Sequence, residues 1–308
     1  MKAAICTTYG PPEVLVIQEV HQPKPKSNEM LIQVHASAVH SGDRRLRALD
    51  VPALGKLPMR LVVGFKAPRQ PILGVVLAGT VVETGNSVKN FQVGDNVYAL
   101  TGMRFGGYAE FACVNESKCV FQMPAHASFI EAAALPFGGT TALHFLRKAR
   151  IERATNVLIY GGAGAVGSTA VQIAKHYGVH VTAVCHERNI ELVKRLGADV
   201  VVDYSREGYD RDLGTYDAVF DASGKIDKRL AKKHVAENGA FSSVAGQGPA
   251  SERKEDLMFL NELFEAGELQ PVIDSVYSLD EIVEAHRYVD QGTKVGNVIV
   301  RIMEESIR

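Results

Sequence analysis

Val157-Leu158-Ile159-Tyr160-Gly161-Gly162-Ala163-Gly164-Ala165-Val166-Gly167 is the stretch on which the fold of this chain turns. Its first four residues are apolar or aromatic and predict a short buried strand. Beyond the glycines, Val166, Ala170, Ile173, Ala174 and Tyr177 recur on one face of a helix predicted over 165–177. Glycine between a strand and a helix has three uses. Gly162 is read as the tight turn, Gly164 as the point where backbone approaches a pyrophosphate with no Cβ between, and Gly167 as the close helix-to-strand contact. Gly162, Ala163, Gly164, Ala165, Val166 and Gly167 are therefore candidate cofactor contacts, their free amides and the helix dipole facing negative charge. The plainer alternative is a glycine turn that only packs.

Outward from this loop, strand and helix alternate every 20 to 25 residues or so, as expected of a parallel sheet with helices on both faces. Strands are predicted at 180–185, 199–203, 218–221 and 240–244, with a helix at 190–196 ended by Gly197. Before Pro124 the texture differs. Short β-branched runs at 2–6, 14–19, 30–39, 74–83 and 95–100 are separated by Pro and Gly, which predicts an antiparallel barrel or sandwich. Helical periodicity begins at 130–135 and 141–148. After a polar loop at 247–254 come a helix at 255–266, a strand at 272–277, a helix at 280–289 and a strand at 297–302, elements free to return to the first domain.

The end of the second strand bears on which dinucleotide is bound. An NAD site usually places a carboxylate there for the ribose diol. Here the positions are Cys185, His186, Glu187 and Arg188. The expected acid is missing, and Arg188 with His186 offers charge-assisted contacts to a 2′-phosphate, which favours NADPH over NADH. Alternatively, Arg188 is solvated and Glu187 meets the ribose.

Composition narrows the partners. With 34 Lys+Arg against 35 Asp+Glu the net charge is −1, so no broad positive field marks the chain for nucleic acid or an anionic membrane, and a small-molecule partner is expected. Four scattered cysteines form no disulfide framework or zinc-ribbon spacing, which suits a reducing, cytoplasmic setting. Residues 1–9 lack a signal-like apolar core, and no run approaches the roughly 20 apolar residues of a membrane span.

These segments together resemble the medium-chain dehydrogenase/reductase superfamily, in its zinc-free, quinone-oxidoreductase-like branch. The resemblance covers nearly the whole chain. It rests on Pro71-Ile72-Leu73-Gly74, Leu77-Ala78-Gly79-Thr80-Val81-Val82, Val93-Gly94-Asp95, Gly106-Gly107-Tyr108-Ala109-Glu110-Phe111, Ala132-Ala133-Ala134-Leu135-Pro136 and Thr140-Thr141-Ala142. To these it adds the glycine loop, Ala170-Val171-Gln172-Ile173-Ala174-Lys175 and Lys194-Arg195-Leu196-Gly197-Ala198-Asp199. It implies an α/β protein with a GroES-like β-rich catalytic domain, 1–124 completed by 267–308, and a Rossmann NADP-binding domain, 125–266, with hydride transfer in the cleft.

Catalytic zinc needs three protein ligands and an open fourth position. Where zinc-dependent relatives carry Cys, His-Glu and Cys, this sequence has His40, Gly74-Val75-Val76 and Pro136-Phe137, so no metal is expected. With no Lewis acid to polarise a carbonyl, a conjugated acceptor is the easier substrate. The implied activity is NADPH-dependent reduction of a quinone or an α,β-unsaturated carbonyl. An NADP-dependent alcohol dehydrogenase and a non-catalytic NADPH-binding redox sensor are the alternatives.

His40 and Asp43 lie in the loop that the resemblance turns toward the nicotinamide, and an imidazole there is a candidate proton relay. Their plainer readings are a hydrogen-bonded loop histidine and a salt-bridge cluster of Asp43 with Arg44, Arg45 and Arg47. Thr141 matches the family's Thr-Ala pair near the cofactor, or else caps a helix. Tyr204 resembles a ribose-contacting tyrosine. Ser223, Gly224, Ala245 and Gly246 follow strand ends, where ligands of open α/β sheets bind. Between Val244 and Asp256 the chain is shorter than the resemblance implies by roughly a helix and a sixth strand. That sheet edge is a common dimer contact, so a homodimer is left open.

Overall fold

A computed structural model describes residues 1–51 and 53–303. The chain divides into two compact units, residues 1–136 with 273–308, and residues 137–272.

In the first unit, β1 (Lys2–Cys6) and β2 (Leu15–Glu19) pair antiparallel as a two-stranded sheet. The long β3 (Glu29–Val39) follows, then two helices, α1 (Ser41–Ala48) and α2 (Ala53–Val63). Next come β4 (Val76–Thr84), β5 (Asn96–Leu100), β6 (Phe111–Asn115) and β7 (Cys119–Gln122). The helix α3 (Phe129–Lys148) carries the chain into the second unit. There β8 (Asn156–Tyr160), α4 (Ala165–His176), β9 (His180–Cys185), α5 (Ile190–Arg195) and β10 (Val200–Asp203) alternate as the sequence predicts, β11 (Tyr216–Asp221) follows β10 with no α-helix between, and α6 (Lys228–Lys233), which the sequence reading did not include, precedes β12 (Val235–Ser243) and α7 (Lys254–Glu265). The chain returns to the first unit through β13 (Ile273–Ser278), α8 (Ile282–Asp290) and β14 (Asn297–Arg301).

The return is made by pairing. One edge of β3 is shared, with Glu29–Gln33 running against β6 and Ala36–Val39 against Val298–Arg301 of β14. Its other edge pairs with β4, so β3 is central and buried on both faces. Alternation sorts its side chains: Met30, Ile32 and Val34 enter a core with Leu77, Val81, Val97, Val114 and Val120. At its far end Val39 enters a second core with Leu73, Tyr108, Ile282, Val289 and Val298, built from both ends of the chain. Each such aliphatic side chain contributes about 2 kcal/mol by burial.

Several elements depart from the sequence reading. β6 and β7 were not expected. Their few residues form strands because β3 and β5 supply a ladder. The segment at His40-Ser41-Gly42-Asp43, read as a loop, opens α1. The two helical runs of α3 are one 20-residue helix through Pro136, and Thr141 is an interior residue, which removes the capping role. Gly138 and Gly139 explain the close packing there: a Cβ would lie 2.7 Å from the Ala165 carbonyl oxygen and 2.3 Å from Leu260.

The salt-bridge cluster around Asp43 is also rearranged. Asp43 serves its own helix start, and the arginines reach elsewhere. Arg47, 1 % exposed, donates to Asp290 at the end of α8 at 2.7 Å, while Arg44 bridges Asp290 at 3.2 Å and Asp50 at 2.9 Å. This joins α1 to α8 across more than two hundred residues. Removing Asp290 leaves a buried guanidinium without its carboxylate. Because Asp290 is partly exposed, Asp290→Ala is expected to cost about 2–3 kcal/mol in urea denaturation, below the full value for a buried pair. The double change Arg47→Met with Asp290→Leu recovers most of it.

Candidate functional site

The parallel sheet of the second unit runs β10-β9-β8-β11-β12 among the described residues. After β8 the chain moves outward through β9 and β10, then crosses back to β11. The order reverses at β8, and open α/β sheets bind ligands at the strand ends beside such a reversal.

The glycine turn sits there. The positive φ falls at Gly161 (+85°) rather than Gly162, which corrects the sequence reading of the turn. The reason is the neighbouring strand: the amides of Gly161 and Gly162 both donate to the Val184 carbonyl, at 2.9 and 3.0 Å, holding Gly162 against Ala183. Gly164 is the extended N-cap of α4, and its carbonyl accepts from Ser168. The amides of Ala165, Val166 and Gly167 precede the first intrahelical bonds and share the positive end of the helix dipole. The last two glycines have different neighbours. A Cβ on Gly167 would lie 2.1 Å from the Gly161 carbonyl oxygen, whereas one on Gly164 would have that oxygen 3.7 Å away. Gly167 is therefore demanded by packing. Gly164 keeps a face of backbone open, as a phosphate cradle requires.

Other predicted residues converge on this turn. A Cβ on Gly161 would approach the Ser223 side chain to 2.9 Å, and one on Gly224 would approach Ala245 to 3.1 Å, so the ends of β8, β11 and β12 are adjacent. Gly246 follows at positive φ. The Tyr204 amide donates to the Cys185 carbonyl at 3.0 Å, and the Tyr204 ring stands edge-on to His186 at 5.8 Å. His186 Nδ1 accepts from the Arg188 amide at 3.4 Å, fixing the turn that carries Arg188. Burial pushes the Cys185 thiol up to about 11, with nearby Asp203 adding to it, so it stays protonated. Thr141, 8 % exposed, lies one turn beyond Gly138, which packs on Ala165.

Asp221 organises these strand ends and escaped the sequence reading. One oxygen accepts from the Ser223 hydroxyl (2.8 Å) and the Gly224 amide (2.9 Å), and the other from the Ser243 hydroxyl (2.9 Å), which in turn accepts from the Ala245 amide. The detectable signal was an Asp at a strand end with Ser two residues on, the pattern of an Asx-turn.

His40 and Asp43 belong to the first unit, where both are almost wholly buried. Asp43 Oδ2 accepts from the His40 amide at 3.1 Å and lies 2.8 Å from His40 Nδ1. Burial alone would raise the Asp43 carboxyl, but His40, with His286 behind it, holds it below the usual range. Tyr108, driven upward by burial and by Asp43, remains a phenol. Its ring meets His286 edge-on at 5.6 Å. His286 is fully buried, and neither ring nitrogen has a hydrogen-bond partner among the described residues. Burial pushes its pKa down to about 4; Asp43 and Asp290 oppose this, and Arg47 and His40 add to it. Among the described residues no three His, Cys, Asp or Glu side chains are grouped to hold a metal. Of the places that the resemblance compares with zinc ligands, Val75-Val76 after Gly74 and Pro136-Phe137 carry no donor side chain, while the remaining one holds His40, whose Nδ1 lies 2.8 Å from Asp43.

Residues 26–125 match the alcohol dehydrogenase GroES-like domain, and residues 165–276 the family described as zinc-binding dehydrogenase. The chain is 36 % identical to 2-methylene-furan-3-one reductase of Solanum lycopersicum, over 97 % of this chain and 79 % of that one. It is 33 % identical, with the same coverage, to the chloroplastic NADPH-dependent alkenal/one oxidoreductase of Arabidopsis thaliana. The quinone oxidoreductase of Coxiella burnetii superposes with a TM-score of 0.83 at 28 % identity, over 98 % of this chain and 99 % of that one. The chain belongs to the medium-chain dehydrogenase/reductase superfamily, and it is an oxidoreductase of that family's GroES-like plus Rossmann architecture.

Gly167→Ala should lower the melting temperature by several degrees, because backbone must shift to admit the methyl, whereas Gly164→Ala should melt within about 2 °C of wild type. For His286, the unfolded chain takes up a proton between about pH 6.5 and 4 that the native chain refuses, so stability falls as pH drops through that window. Urea titrations of wild type and His286→Leu should diverge there by up to about 3 kcal/mol, which separates the histidine from Asp43.

Proposed function

We propose that this chain is an NADPH-dependent, zinc-independent reductase of quinones or α,β-unsaturated carbonyls. The observation that carries the reading is an open glycine cradle beside a strand end that offers His186 and Arg188 where a ribose-binding carboxylate would stand. In this reading the first-turn amides of α4 hold the pyrophosphate, and His186 and Arg188 meet the 2′-phosphate. Tyr204 lies along the adenosine, and Thr141, Ser223, Gly224, Ala245 and Gly246 border the cofactor. Asp203 stands at the end of β10 rather than β9 and accepts from the Ser205 hydroxyl and amide. The bound cofactor would supply a hydride, and the chain supplies orientation and charge complementarity.

A conjugated acceptor suits such a protein because the incoming electron pair is delocalised to an oxygen that a few hydrogen bonds can stabilise. The relatives named for furanone and alkenal/one reduction support that class. His40 and Asp43 enter as positioning residues that fix the start of α1, in keeping with their burial.

NADPH consumption measured against a panel of quinones, alkenals, ketones and alcohol products tests the proposal. Turnover is expected with a quinone or alkenal, with kcat/KM higher for NADPH than for NADH and no response to EDTA. Arg188→Ala should erode the NADPH preference about tenfold, and Gly164→Ala should raise the KM for NADPH. Inactivation by the chelator would sink the zinc-free reading. Tight NADPH binding without turnover across the panel would reassign the chain as a non-catalytic sensor.

A further inference from the structure

Between Asp50 and Glu83 the sequence has no acidic residue, while Lys56, Arg60, Lys66 and Arg69 fall within 14 positions of one another. That segment includes α2 and the turn after it. Its apolar residues are not all inside. Leu57, Leu61, Val62 and Phe65 are 60 %, 60 %, 64 % and 60 % exposed, whereas Val63 is buried. On the helix, Leu57, Pro58, Leu61 and Val62 share one outward arc. Lys56 and Arg60 flank it on the same side, and Phe65 and Lys66 extend it past the helix end.

The C-terminal end of α2 is tied to the rest of the unit and to the turn that follows it. Tyr9 donates to the Gly64 carbonyl at 2.8 Å, the Arg69 amide to the Val63 carbonyl at 2.7 Å, and the Arg60 guanidinium stands over the Phe65 ring at 5.9 Å. Among the described residues no ion pair joins any of the four cations to a carboxylate, and the nearest upstream acid, Asp50, is taken by Arg44. An apolar arc edged only by cations, on a short helix, has the chemistry of an interfacial helix. Leu, Val and Phe enter the boundary between headgroup and acyl chain, and Lys and Arg meet anionic headgroups. We propose that α2 and the following turn dock the protein on an anionic lipid bilayer, lying in the interface. No helix among the described residues is long and apolar enough to cross one.

Co-sedimentation of the full chain with vesicles tests this. The chain should pellet with equal parts phosphatidylcholine and phosphatidylglycerol, much less with phosphatidylcholine alone, and high salt should release it. Lys56→Glu with Lys66→Glu should weaken partitioning at least about tenfold, as should Leu61→Asp with Phe65→Asp, while Lys232→Glu with Lys233→Glu, on another surface, should not. Failure to pellet with either vesicle, equal pelleting with both, or full retention in the first two variants would overturn the assignment. So would self-association of the free chain that Leu61→Asp abolishes, since the patch would then belong to a second copy. NADPH affinity and melting temperature are measured on every variant. Both should match wild type, which shows the fold intact and keeps the outcome separate from that of the cofactor reading.

Discussion

Four residue pairs, Ala36–Val39 against Val298–Arg301, close the first unit. The ladder is short, yet it joins strands some 260 positions apart, and the entropy of such a closure grows only slowly with loop length. The intervening chain is also not a random loop, since residues 137–272 form a compact unit of their own. The closure then builds most of what distinguishes the first unit. It completes the core around Leu73 and Tyr108, and it brings α8 to α1 so that Asp290 meets Arg47.

In the second unit the governing constraint is the set of strand ends around β8. Helix α4 supplies amides without acceptors, Gly161 supplies the left-handed turn, and Asp221 holds the loops after β11 and β12 in register with that turn. None of these groups is chemically reactive. They leave the backbone at Gly164 and the first amides of α4 beside an open turn, which suits the cofactor cradle proposed for it. The polar residues of the first unit are spent differently. His40, Asp43, Tyr108 and His286 form a buried cluster in which the carboxylate keeps its charge and the His286 ring keeps none.

Much of this was legible in the sequence where the signal is local. The strand, glycine turn and helix at 157–176 are written in alternation, glycine spacing and a 3.6-residue period within twenty residues. The missing ribose carboxylate is likewise a local fact. What escaped depends on distant partners. β6 and β7 are too short to announce themselves and exist as strands because β3 and β5 template them. The partner of Arg47 lies 243 positions away, beyond any pattern of helix spacing. Gly161 took the turn assigned to Gly162 because of Val184 on the adjacent strand. The cationic apolar surface at α2 was hidden by averaging, since a net charge of −1 over 308 residues says nothing about a run of 32 with no acid.

The order in which the chain is made gives the β3 and β14 pairing one more consequence. The strand that completes the first unit leaves a ribosome only after the whole of the second unit, which is continuous in sequence and has all its strands available earlier. The nucleotide-type unit therefore has the opportunity to fold during synthesis, while the first half of the GroES-like unit must wait with the edge of β3 from Ala36 to Val39 unpaired. An unpaired edge in a nascent chain is a template for the wrong strand. In this protein the vulnerable interval lasts until β14 arrives.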